Sequence, residues 1–275
     1  KSGADNLIVR RRNELDLRDQ RAVHEFFRNE RPDCVFLAAA KVGGILANNT
    51  LRWDFLYDNL LIEANVLGAA LEGDVKRLVF LGSSCIYPKM AQQPIRESEL
   101  LTGPLEPTNE PYAIAKIAGV ELVDAANRQH GRTWVSLMPT NLYGPGDNFD
   151  LQSSHVLPAM IRKFHEAQAR LRMGELASVE LWGSGSAMRE FLHVDDLAAA
   201  ALHMLASDAT GLFNVGSGSD LTIRALAELV ASVIGYVGPV TWDASKPDGT
   251  PRKLLDSSRI RATGWAPTID LHAGI

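Results

Sequence analysis

Four segments of this chain read as strands: "NLIV" (6–9), "DCVFLAAA" (33–40), "RLVFLGSS" (77–84) and "TWVSLMP" (133–139). Three of them are short and almost unbroken apolar runs, the pattern of strands covered on both faces in a parallel sheet. Helical patterns lie between them, at about 19–29, 51–72 and 112–130. Alternation of this kind predicts an α/β fold of Rossmann type, a doubly wound parallel sheet with right-handed crossovers.

After Gly144 the order changes. "SSHVLPAMIRKFHEAQARL" reads as a helix, "SVELWG" as a short strand, and "HVDDLAAAALHMLAS" as a helix whose start Asp195 and Asp196 would cap. "LFNVGSG" is a further strand, "TIRALAELVASVIGY" a helix and "PVTW" a last strand. A smaller mixed α/β region is expected to pack beside the first sheet. The strand, glycine-rich turn and helix that usually open a nucleotide-binding sheet do not precede Leu7, and "TIDLHAGI" reads as the first turns of a helix. Both ends are expected to be clipped, with the first, central strand missing.

Hydrophobic residues make up 46% of the 275, which suits one large α/β unit or two coupled domains. No apolar run approaches the roughly 20 residues that span a bilayer, and no signal peptide is visible. Cys34 and Cys85 supply neither a disulfide framework nor a zinc-ligand spacing, so no metal is expected and a reducing cytoplasm is. A net charge of −5 argues against nucleic-acid binding. Local cations still allow a phosphorylated ligand; taken singly, Lys163, Arg189, Lys246, Arg252 and Lys253 read as solvated surface charges.

Chemistry is concentrated in "NEPYAIAKIAGVELV" (109–123), where Tyr112 and Lys116 stack one helical turn apart. A lysine cation stabilises a nearby phenolate, so such a tyrosine can exchange a proton with an alcohol or alkoxide. "LGSSC" adds Ser83 and Ser84 at the C-terminal end of a strand, where open α/β sheets bind ligands. A bare YxxxK is most often packing. A serine-ended strand followed by YxxxK inside a βαβ series is a stronger signal.

"AAAKVGG", "FLGSSCIYP", "EPTNEPYAIAKIAG", "MPTNLYGPGDNF", "WGSGSAMREFLHVDD" and "SKPDGTPRK" together resemble the extended short-chain dehydrogenase/reductase family, from about Arg12 onward. SSCIYP, SHVLPA and KPDGTPRK narrow the resemblance to a branch that turns GDP-4-keto-6-deoxy-D-mannose into GDP-L-fucose using NADPH. The family's GxxGxxG loop is not in this chain. The resemblance implies inversion at C3 and C5, then reduction at C4. Cys85 and His155 would be the acid–base pair, Ser83 and Tyr112 would hold and protonate the C4 oxygen, and Lys116 would tune Tyr112.

It also implies NADP(H) contacts. Arg12 would meet the 2′-phosphate, and Asp16 and Leu17 the adenine. Leu37, Ala38, Ala39 and Ala40, with Leu81, Gly82, Ser83 and Ser84, would line the dinucleotide. Lys116 would reach the nicotinamide ribose, beside Pro139, Thr140, Asn141, Leu142 and His155. Lys163, Trp182, Arg189 and Asp248 would take the GDP-sugar. By these implications 1–145 is an NADP-binding domain to which 190–210 returns, and 146–189 with 211–275 is a substrate domain. A homodimer through helices 51–72 and 112–130 is implied as well. The competing readings are another nucleotide-sugar epimerase or dehydratase of this fold, or a non-catalytic cofactor-binding relative.

Overall fold

The computed structural model describes residues 6–151, 153–246 and 248–275. Helix α1 (Gln20–Glu30) starts where the Asp19 carboxylate accepts the amide of Ala22, and ends at Arg31 in the left-handed region. It leads into β1 (Cys34–Leu37). Two helices follow, α2 (Ile45–Thr50) and α3 (Arg52–Glu72), then β2 (Arg77–Leu81). Next come α4 (Glu110–His130), with Pro111 in its first turn, and β3 (Val135–Pro139).

These strands form a parallel sheet in the order β1, β2, β3, β7, where β7 is Gly211–Val215. The sheet therefore takes a strand from the stretch that sequence reasoning gave to the second region. α1, α3 and α4 cover one face through Val23, Val66, Val120 and Val123. Helix α6 (Val194–Ala206) and the short α8 (Ser258–Arg261) cover the other, through Leu197, Met204 and Ile260. Both faces are thus apolar, as the unbroken runs require.

Residues 6–9 are not a strand: Leu7 and Val9 stay 73% and 76% exposed. An extended segment becomes a strand only by pairing, and no strand among the described residues lies beside it. β1 consequently forms an edge, with Phe36 44% exposed.

The remaining strands form smaller sheets: β4 (Asn141–Tyr143) and β6 (Met188–His193) with β8 (Asp220–Thr222) and β10 (Arg252–Lys253), and β5 (Val179–Trp182) with β9 (Val240–Asp243). Helices α5 (Val156–Arg172) and α7 (Ile223–Ile234) pack Leu157, Phe164, Leu226 and Val230 against them. Glu190, fully buried, clasps this region: its carboxylate accepts the amides of Gly218 at 2.7 Å and Leu255 at 3.0 Å. Its carbonyl accepts from Thr140 and Asn141.

The expected caps of α6 are different from those found. His193 Nδ1 accepts the Asp195 amide, while Asp196 is buried and ties down Thr268 and Ile269 near the terminal α9 (Leu271–Gly274). Sequence spacing did not show that a later segment would need this carboxylate. Among the described residues, no helix is long and apolar enough to cross a membrane and no metal-ligand cluster is present.

Candidate active site

Strand β2 ends at Leu81 and the chain turns at once. Gly82 leaves room there for the Met138 side chain of β3, whose methyl lies 2.1 Å from where a Cβ would stand. Ser83 begins a 3-10 turn over Ser84–Ile86, its Oγ accepting the Cys85 amide at 3.2 Å. The turn, and not the alternation of a strand, therefore sets how Ser83 and Cys85 stand to one another. Ser84 is buried beneath.

The Cys85 sulfur accepts from Asn109 Nδ2 at 3.2 Å and lies 3.9 Å from Lys253 Nζ. Asn109 is the residue on which α4 starts, and Lys253 arrives on β10. Sequence reasoning assigned a role to neither. Lys253 stood within a quoted motif, but its reach to a thiol across 168 positions is a tertiary fact.

Tyr112 lies in the first turns of α4, its ring edge-on to Phe55 with centroids 6.3 Å apart. Burial pushes its hydroxyl well above the ordinary tyrosine range, and the negative charges of Cys85 and Glu63 add to this. A hydrogen bond with Ser83 opposes them. Ser83, Cys85 and Tyr112 are thus one electrostatic cluster.

Lys116 is 2% exposed. Its ammonium donates to the Leu81 carbonyl at 3.0 Å, pairs with Glu63 of α3 at 3.1 Å, and lies 4.7 Å from the centre of the Phe80 ring. The Tyr112 ring centre is 6.0 Å away. Burial lowers the lysine pKa, and Glu63 opposes that shift. The expected simple pair, a lysine tuning a tyrosine, is in fact a trio with a buried carboxylate.

His155 stands apart, at the N-cap of α5; among the described residues no hydrogen bond links it to the Ser83–Tyr112 cluster. Burial among neighbouring groups lowers its pKa from 6.5, with Asp147 opposing. Its loop reaches the start of α2: the Gly44 amide donates to the Ser153 carbonyl at 3.2 Å.

Along the C-terminal edge of the sheet, Ala38 and Ala39 are exposed, Ala40 is half-buried and Leu37 is buried. Arg12 is exposed in the turn before α1. Asp16 is held at 2.7 Å by Arg18, whose hydrogen bonds bring its carboxyl down to about 2. Leu17 packs its side chain on the core while its carbonyl accepts from Asn65. Pro139 and Thr140 are buried at the end of β3, and Asn141 and Leu142 open β4 half-exposed.

On the other wall Trp182 is 55% exposed, with the ammonium groups of Lys163 and Lys246 at 6.0 and 5.5 Å from its ring centre. Lys163 also donates to the Glu180 carbonyl. Arg189 is desolvated, which lowers its pKa against the pull of Asp248 and Cys85. Asp248 already accepts two hydrogen bonds from Ser184, at 2.8 and 2.7 Å, and its carbonyl accepts from Arg189. It holds the Gly183–Gly185 turn beside Arg189. Arg252 is not a free surface charge either, being paired with Asp220 at 2.6 Å.

Chemically, the cluster offers a hydroxyl pair (Ser83, Tyr112) for one oxygen and a thiol contacted by an amide and an ammonium. A cationic, partly aromatic wall faces the next region. That set suits a ketone flanked by acidic carbons in a ligand carrying phosphate.

A family model described as the NAD dependent epimerase/dehydratase family matches residues 1–216. A GDP-L-fucose synthase of Escherichia coli (strain K12) is 57% identical over 99% of this chain and 87% of its own length. GDP-L-fucose synthase 1 of Arabidopsis thaliana is 55% identical over 99% of this chain and 84% of its own. Among solved structures, a GDP-mannoheptose C4 reductase from Campylobacter jejuni with NADP bound superposes with a TM-score of 0.90. It is 37% identical, covering 98% of this chain and 87% of that one. With a serine, tyrosine and lysine gathered at the carboxyl ends of a parallel sheet, and with relatives matched across nearly its whole length, the chain belongs to the NAD dependent epimerase/dehydratase family.

Proposed function

We propose that this chain converts GDP-4-keto-6-deoxy-D-mannose into GDP-L-fucose, inverting C3 and C5 and then reducing C4 with NADPH. The observation that carries this reading is the thiol of Cys85 in contact with Asn109 and Lys253 and electrostatically coupled to Tyr112. A dehydratase would want a carboxylic acid at that place. The identity to GDP-L-fucose synthases supports the same substrate.

Protons on carbons flanking a ketone are acidified because the resulting carbanion is an enolate. Ser83 and Tyr112 hold the C4 oxygen, so the enolate charge is met by hydroxyl donors. Cys85 exchanges a proton on one face, with Lys253 and Asn109 steadying the thiolate, and His155 serves the other face. For reduction, Tyr112 gives its proton to the C4 oxygen; its strong hold on that proton keeps it loaded at neutral pH.

The residues present fit NADP(H): Ala38 and Ala39 are exposed with no side chain beyond Cβ, and Arg12 presents an exposed guanidinium beside Asp16 for a 2′-phosphate. When bound, the cofactor supplies hydride to C4. Asp16, Leu17, Leu37, Ala40, Leu81 to Ser84 and residues 139–142 complete that side in this reading. Lys163 and Arg189 meet the diphosphate, Trp182 stacks on base or sugar, and Asp248 acts mainly by fixing Arg189. The domains follow the division given above, with β7 added to the cofactor sheet.

Incubation with GDP-4-keto-6-deoxy-D-mannose and NADPH is expected to yield GDP-L-fucose, read by NMR of the product. A C4-reduced sugar without inversion at C3 and C5 would overturn the assignment in favour of a simple C4 reductase.

The protein is also proposed to act as a homodimer through α3 and α4, where Trp53 and Tyr57 stack in the open and Ile114 and Leu122 are exposed. Sedimentation is expected at twice the 30.0 kDa chain mass, and a 30.0 kDa species at micromolar concentration would refute it. The free thiols suit a reducing cytoplasm.

A further inference from the structure

Glu63 is a carboxylate buried beside Lys116, 1% exposed in the middle of α3. Helices that pack in a core normally meet through apolar side chains. Here α4 makes room for a carboxylate instead: a Cβ on Gly119 would lie 2.8 Å from Glu63 Oε2 and 2.4 Å from the Phe80 ring. Glycine costs a helix interior about 1 kcal/mol, so the space is made at a cost.

Among the described residues the carboxylate has one ion-pair partner, Lys116 at 3.1 Å, and neither of its oxygens accepts a hydrogen bond. A buried ion pair with an unsatisfied oxygen is a poor device for stability, because desolvation offsets most of the attraction. Lys116, by contrast, needs the carboxylate. An ammonium 2% exposed, with one carbonyl and two aromatic rings besides, loses its proton readily when left alone in a protein interior.

We propose that Glu63 is a positioning residue of the reduction step, a buried counter-ion that keeps Lys116 protonated and fixed between the Leu81 carbonyl and the Tyr112 ring. It acts through Lys116 and contacts no reacting atom. This rests on reading the site as a ketone reductase.

The titratable groups facing Glu63 are Lys116 and Tyr112, both from α4, with Cys85 beyond Tyr112 from the turn after β2. From β2 itself it meets Phe80 across Gly119. Burial pushes the Glu63 carboxyl up to about 7, against the pull of Lys116.

The test is the Glu63→Gln variant, which keeps the shape and removes the charge. Lysines labelled with 13C at Cε report protonation by NMR, and the Lys116 signal is identified by its loss in Lys116→Met. In the apo protein Lys116 is expected to titrate lower in Glu63→Gln than in wild type, by about one pH unit or more, a tenfold change in its acid dissociation constant. With NADPH and the keto-sugar, the alkaline limb of kcat for reduction is expected to move down by the same amount, with KM nearly unchanged. Solvent deuterium exchange at C3 and C5 should continue. Glu63→Asp restores the carboxylate, so most of the wild-type limb should return.

A Lys116 titration or a reduction profile that superimposes on wild type would overturn the proposal, and so would a uniform rate loss with no change in pH dependence. If Glu63→Gln does not fold, Glu63→Met, which keeps the length and removes the charge, takes its place: a Lys116 titration at least about one pH unit below wild type supports the proposal, and no displacement refutes it. A wild-type enzyme that fails to reduce the ketone would sink the functional reading while the apo NMR result still stands or falls alone.

Discussion

Replacing Tyr112 with phenylalanine is expected to abolish reduction of the C4 ketone while leaving proton exchange at C3 and C5. The ring stays where it is, edge-on to Phe55 at 6.3 Å, so the fold loses only the Ser83 contact of the hydroxyl, worth about 1 kcal/mol. The chemistry loses its proton donor. A positioned general acid contributes roughly 10²–10⁴-fold, or about 3–5 kcal/mol of barrier. Ser83 still holds the oxygen, so the enolate remains accessible and deuterium from solvent should enter at both carbons. The measurement is NADPH oxidation alongside mass spectrometry of the recovered sugar nucleotide. Reduction within tenfold of wild type would refute the assignment of Tyr112 as donor.

The Cys85→Ser variant should show the opposite pattern. Serine keeps a hydrogen-bonding atom for Asn109 and Lys253, whose contacts with the sulfur are at 3.2 and 3.9 Å. What it lacks is acidity. An alcohol gives up its proton far less readily than a thiol does. Inversion at C3 and C5 is therefore expected to slow by about 10²–10⁴-fold. Reduction of the uninverted ketone then becomes the competing outcome, visible as a new product by NMR. Deuterium exchange at the wild-type rate would remove Cys85 from the mechanism. A loss of both activities together would indicate that the turn from Ser83 to Ile86 had collapsed.

Tyr112 stood out through the spacing of its helix, and Cys85 was picked out by the family resemblance. Tyr112 and Lys116 are one turn apart on a single helix, and Ser83 and Cys85 lie in the few residues that follow one strand. The strands and helices were legible for a similar cause, since an apolar run or a 3.6-residue period records which faces are covered. Residues 6–9 were not, because "NLIV" has the composition of a strand whether or not a neighbour exists to pair with it. The caps of α6 were misread for a related reason. Asp196 satisfies a helix start on paper, yet its carboxylate goes to Thr268 and Ile269, 72 and 73 positions away.

Sequence by itself determined the sheet type, the family resemblance and the candidate hydroxyl, thiol and ammonium groups. Only the tertiary structure decided who their partners are. Lys253 reaches Cys85 from β10, Asn109 reaches it from the start of α4, and Glu63 reaches Lys116 from α3. Electrostatic coupling depends on distance and on the water excluded from between two groups, and neither quantity is written in the spacing of residues along a chain.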